Sequence, residues 1–197
     1  MTSIDLAAET RSIIQHALRG DPALASLAVA VQDAETLTAT VASGLPPREL
    51  GGGTWTPAPF RREILVELVV RMQRYRAGRI LGGVLLEPER DDLMRVIDSY
   101  PRACYPNCGP GWTDLLHALL AWTDETDPGN WRLDDIKEKY GTVRLYYSGP
   151  ISDLGSEIID AADHLSGSIC DRCGRPGRTG GRGWISTRCE HHDGDWR

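Results

Sequence analysis

Four side chains in the last part of the chain carry the strongest chemical signal. Cys170 and Cys173 form a Cys-x2-Cys step, fifteen residues follow, and Cys189 and His192 form a Cys-x2-His step. Thiolate sulfurs at ~2.3 Å and an imidazole nitrogen at ~2.0 Å are the donors tetrahedral zinc selects, and one knuckle delivers two of them. Four protein donors close the coordination shell, so the expected Zn2+ is structural and not catalytic. His191 competes for the fourth position, and the matching x2 spacing favours His192. A redox Cys-x-x-Cys is the rival chemistry, but such pairs open a helix after a strand, whereas this one follows a helical stretch. From 166 to 197 the large apolar side chains are Ile169, Trp184, Ile185 and Trp196. They are too few to offset backbone ordering at roughly 1–2 kcal/mol per residue. Metal binding supplies on the order of 10 kcal/mol in zinc-dependent modules, so the segment is expected to owe its order to the ion.

Two groups of cations suggest binding. Lys137, Lys139 and Arg144 stand among Tyr140, Tyr146 and Tyr147, a mixture that can hold a phosphorylated ligand or a nucleotide base by charge and stacking. The alternative is a solvated strand face neutralised by Asp135 and Glu138. Arg172, Arg175, Arg178, Arg182 and Arg188 make the stretch between the two ligand pairs basic, a candidate phosphate or nucleic-acid contact or simply a solvated loop. Cys104 and Cys108 read as buried or reactive thiols rather than a second metal site, although His117 is available to them. Catalytic signatures are weaker. Half of a ββα-metal nuclease scaffold has this Cys/His layout, but its histidine base and further ligands are not identifiable. His117 and His164 fall on helical stretches, Asp134 and Asp135 read as surface charge, and Gly51-Gly-Gly is not a phosphate-binding loop.

The elements that must position these residues follow from periodicity. Residues 3–19 predict a helix with Leu6, Ile13, Ile14, Ala17 and Leu18 on one stripe, Thr2 and Asp5 at capping-box spacing, and Gly20 beyond its end. Leu27–Val31 and Leu37–Val41 predict a strand pair. Prolines and glycines from 44 to 59 predict a linker or long loop. A helix with Phe60, Ile64, Leu65, Leu68, Val69, Met72 and Tyr75 inward should follow, then a shorter one near Pro88 carrying Leu93, Met94, Val96 and Ile97. Gly109-Pro-Gly111 turns into a helix bearing Trp112, Leu115, Leu116, Leu119 and Leu120. Val143, Leu145 and Tyr147 alternate with Arg144 and Tyr146, which predicts a strand; the segment before Gly141 reads as its hairpin partner in preference to a short helix. Leu154, Ile158, Ile159, Ala162 and Leu165 predict a last helix running into Cys170. The expected division is 1–50 as helix plus strand pair, 51–59 as linker, 60–168 as body and 169–197 as zinc knuckle.

The net charge of −6 over 197 residues argues against a general nucleic-acid coat, whose affinity comes from neutralising phosphates, while leaving room for a local basic patch. No apolar run nears the ~20 residues that span a bilayer, and the N-terminus lacks a basic region followed by an apolar one. A cytoplasmic protein is expected, where reducing conditions favour metal over disulfides for its five cysteines.

Three stretches, Cys-Gly-Pro-Gly-Trp at 108–112, Ile-Lys-Glu-Lys-Tyr-Gly-Thr-Val-Arg-Leu-Tyr-Tyr at 136–147 and the Cys170–His192 knuckle, together resemble a group of small uncharacterised proteins of bacteriophages and bacterial mobile elements. That group has a Gly-x-Gly-Trp helix start, a Lys-Glu-Lys-Phe-Gly-x-Leu-Arg-Phe-Tyr stretch and a terminal Cys-x-x-Cys…Cys-x-x-His knuckle. Tyr140 and Val143 replace its phenylalanine and leucine, and the likeness covers roughly residues 98–192. It brings no activity with it. The resulting expectation is an α+β fold: a helix-rich body, small antiparallel strand pairs and a treble-clef or ribbon-like zinc knuckle. Its expected role is non-enzymatic binding of a host protein or a phosphorylated small molecule. A nucleic-acid-binding regulator is the alternative, and a metal-dependent nuclease stands behind both.

Overall fold

Helix α1 (Leu6–Ala17) begins where Asp5 caps it, the Asp5 carboxylate accepting from Ala8 N at 2.9 Å. The computed structural model describes residues 5–33, 35–47 and 60–192, so Thr2 and the predicted 51–59 linker lie outside the described residues. A short antiparallel pair, β1 (Ala28–Ala30) and β2 (Thr38–Thr40), follows as the apolar runs require. Helix α2 (Arg62–Ala77) buries Ile64, Leu65, Leu68, Val69 and Met72. It also buries Val66 and Val70, because β2 packs along it as well as α1, α4 and α5.

A two-residue hairpin, β3 (Ile80–Leu81) with β4 (Val84–Leu85), leads to α3 (Arg90–Asp98), whose capping box pairs Glu89 with Asp92. Of its apolar residues Leu93 and Ile97 are buried, and Met94 and Val96 are half-covered. Then come β5 (Pro106–Asn107), a 3₁₀ turn over Pro110–Trp112 and α4 (Thr113–Thr126). Strands β6 (Arg132–Lys139) and β7 (Thr142–Ser148) form the expected hairpin with Ile136 opposite Leu145, and β5 adds to β6 in parallel. A register shift between Leu133 and Asp135 ends the clean alternation. Tyr147 beyond it is therefore exposed and meets Trp131 edge-on at 6.5 Å, instead of pointing into the core.

Helix α5 (Asp153–Ser166) packs on β7, α2 and α4, and a final antiparallel pair, β8 (Arg178–Gly180) and β9 (Ser186–Arg188), ends the described fold. One apolar core joins α1 to α5 and the three-stranded sheet. The class is α+β, with a Cys/His cluster at its C-terminal end. No helix among the described residues is long and apolar enough to cross a membrane.

Candidate metal centre

The chain leaves α5 at Gly167 and turns at once into the first ligand pair. Ile169 is buried and bridges to Pro176, Cys170 N donates to Arg175 O at 2.8 Å, and Gly174 N donates back to Cys170 O at 2.9 Å. This knuckle aims Cys170 and Cys173 inward. β8 and β9 carry the chain out and back, and a turn with His192 N bonded to Cys189 O at 2.9 Å delivers the second pair.

The ligand atoms of Cys170, Cys173, Cys189 and His192 all lie within 4.8 Å of one another. Cys173 Sγ and Cys189 Sγ are 3.6 Å apart, and His192 Nδ1 lies 3.5 Å from Cys170 Sγ and 3.4 Å from Cys189 Sγ. A tetrahedral ion with zinc's bond lengths holds two sulfurs about 3.8 Å apart and a sulfur and a nitrogen about 3.5 Å apart. These three separations match edges of such a tetrahedron, and all four donor atoms lie close enough to share one ion. His191 points elsewhere, its Nε2 3.4 Å from Arg175 Nη1.

The electrostatics call for a cation. The Cys170 thiol is pushed down to about 4, chiefly by a hydrogen bond from Cys173 and against its burial. Cys173 is pushed up by that same hydrogen bond and by burial, and Cys189 by burial and by the charge of Cys170. Alone, the pocket tolerates one thiolate; a divalent ion would let all three sulfurs ionise together.

The body grips this knuckle through residues whose role sequence reasoning missed. Gly111 N donates to Asp171 O at 2.8 Å, and Trp112 Nε1 reaches Ser166 O and Ile169 O at 3.2 and 3.1 Å. A Cβ on Gly109 or Gly111 would overlap the backbone of Cys170 and Asp171, so glycine is needed there for close approach. Arg76, fully buried, donates to Gly174 O and pairs with Glu9 at 3.1 Å. Burial draws its pKa down, and Glu9, Asp114 and Cys173 push it back up. Its signal was present in the sequence: Arg76 lies four residues after Met72 on the buried stripe of α2. Thr187 Oγ1 donates to Gly141 O, and Arg188 pairs with Asp171. The three resembling stretches thus meet at one junction of helix start, hairpin turn and knuckle.

The other candidates scatter. Lys137 pairs with Asp135 and lies 4.6 Å over the Tyr146 ring, while Arg144 pairs with Asp163. Lys139 lies 5.6 Å over Tyr140 at the hairpin turn. Arg178 and Arg182 are exposed on β8 and the loop after it. His16 is held below its usual pKa by burial and then by Arg178 and Arg19. Cys104 and Cys108 stand apart from the four-donor cluster, and burial pushes Cys108 up to about 12. His117 stacks on Tyr75 at 3.6 Å, and His164 Nε2 bonds Ala17 O at 2.7 Å. No protein-family model, curated protein or solved structure matches the chain.

Proposed function

We propose that Cys170, Cys173, Cys189 and His192 hold one structural Zn2+ and that the protein is a zinc-stabilised binding protein, not an enzyme using that metal. The carrying observation is the match between the donor separations and a tetrahedral ion of zinc's size. Four protein donors leave no position for water or substrate, so the ion's work is to fix the turn at 189–192, just after β9, against the first ligand pair. Reduced thiols of this kind belong to a reducing compartment, which supports a cytoplasmic site of action. The likeness of the three stretches supports a phage or mobile-element origin, and a host protein or a phosphorylated compound as ligand.

The test is native mass spectrometry with elemental analysis of protein purified without added metal. One zinc per chain is expected. Metal-free protein whose residues 168–192 still resist protease overturns the proposal.

A further inference from the structure

We propose that the turn of the β6–β7 hairpin and the loop joining β8 to β9 form one surface for single-stranded nucleic acid. This rests on the zinc reading in one respect: hydrogen bonds to the body hold β8 and β9, and the ion would anchor the 189–192 turn that follows them.

Tyr140 is the first observation. It is the one non-glycine among the described residues with positive φ, at 54°, followed by Gly141 at 79°. A two-residue turn with both φ values positive is the place for Asn-Gly, and a tyrosine in the left-handed region costs about 1–2 kcal/mol. Yet the Tyr140 ring packs into no core: the residue is 66% exposed. Backbone strain kept for an exposed aromatic marks a side chain held out for contact.

Trp184 is the second. It is 76% exposed on the β8–β9 loop, beside half-exposed Ile185. The two loops adjoin, since Thr187 Oγ1 donates to Gly141 O and Gly141 abuts Thr179 and Ser186. Gly180 pairs with Ser186, so the Trp184 loop springs from the point where the hairpin turn docks.

Charge selects the occupant. On the sheet face the cations are already spent, Lys137 on Asp135 and Arg144 on Asp163. Lys139 at the β6–β7 turn, Arg178 at the start of β8 and Arg182 in the β8–β9 loop are exposed and make no ion pair among the described residues. No acidic residue occurs between Arg172 and Arg188, in a chain whose net charge is −6. Two exposed aromatics flanked by cations that make no ion pair among the described residues suit a strand that offers open base faces and a phosphate track. A duplex hides its base faces, and a stretch from Arg172 to Arg188 with five arginines and no acid matches a phosphate track.

The test uses zinc-loaded full-length protein, with metal content measured on the same sample, and a labelled oligothymidylate of about twenty nucleotides followed by anisotropy. Three phosphate contacts predict an affinity loss of about twentyfold between about 50 and 200 mM salt. Trp184→Ala should weaken binding on the order of tenfold, and removing Arg178 and Arg182 together should flatten the salt dependence by about two contacts. Tyr140→Asn should weaken binding while raising the thermal midpoint by about 2–4 °C, a pairing that a purely structural tyrosine would not give. Zinc-loaded protein that binds no oligonucleotide at low salt overturns the assignment, and so does equal affinity for a duplex. A surface used by a protein partner instead would leave oligonucleotide binding untouched by both aromatic variants. Protein purified without zinc whose residues 168–192 resist protease and which still binds the oligonucleotide would sink the metal reading and leave this surface standing.

Discussion

Replacing Gly111 by alanine should separate the knuckle from the body. The new Cβ would stand 2.7 Å from Arg172 N and 2.5 Å from the Asp171 carbonyl carbon, and would overlap Cys170 O. Carbon atoms in ordinary contact lie about 3.5–4.0 Å apart, so relief requires a shift of about 1 Å. All three obstacles are backbone atoms, so no side chain can swing aside. A shift of that size lengthens Gly111 N to Asp171 O well past its 2.8 Å and strips Trp112 Nε1 of acceptors at 3.1 and 3.2 Å. Overpacking costs about 1–3 kcal/mol and each lost hydrogen bond about 1 kcal/mol more. A total of about 3–5 kcal/mol corresponds to a fall of about 6–20 °C in thermal midpoint for a chain of this size. The variant should be assayed by calorimetry and by Trp fluorescence, because Trp112 would lose its buried partners. A midpoint within 2 °C or so of the parent would show that the helix start and the knuckle are not in the contact described.

Other perturbations test separate parts of the same junction. Cys189→Ser should lower metal affinity by more than the roughly 10–100-fold that losing a ligand's hydrogen-bond partner costs, read by chelator competition; undiminished affinity would remove Cys189 from the donor set. Arg76→Met strips Gly174 O of its donor and Glu9 of its cation, and should cost about 3 kcal/mol. Adding Glu9→Gln should recover part of that loss in denaturant titrations, and no recovery would show the pair to be uncoupled. Asp160, half-buried on α5 near Glu157, has its carboxyl pushed up from 3.8 to about 6, by burial first and by Glu157 second. The folded state then holds a proton that the unfolded chain releases, so this group's stabilising share falls as pH rises through about 4 to 6. Solvent screening keeps the effect on the order of 1 kcal/mol. Asp160→Asn should flatten stability across that window, and an unchanged slope would refute the assignment.

The longer helices were legible because each buries a stripe repeated over about two turns. Ile64, Leu65, Leu68, Val69 and Met72 show this on α2, and Ile158, Ile159, Ala162 and Leu165 on α5. The four donors were legible because a metal imposes spacing on sequence. What was hidden lacked length or locality. β3, β4 and β5 have two residues each, too few to display alternation. Gly109 and Gly111 read as a turn because nothing local reveals that another backbone will lie on them. The basic hairpin face looked promising in sequence because ion pairs such as Arg144 with Asp163, nineteen residues apart, are invisible there.

The estimate that the tail depends wholly on metal treated it as a chain standing alone, and the contacts divide that burden. Arg76, Gly111 and Trp112 all hold the stretch from Ser166 to Gly174, so the body itself orders the first ligand pair. Asp171 N to Thr187 O at 3.0 Å and Thr187 to Gly141 extend that hold as far as β9. Beyond β9, the backbone bond within the 189–192 turn joins that turn only to itself. The proposed ion would thus be the main bond between the second ligand pair and everything before it. Charge points the same way: three thiolates around a divalent ion leave one negative charge in a buried site, and low dielectric makes a nearby cation worth more there than in water. Arg76, buried beside Gly174 and near enough to Cys173 to feel its charge, supplies that cation from α2. The candidate metal site and the helical body would therefore form one electrostatic unit, which accounts for a fully buried arginine on α2.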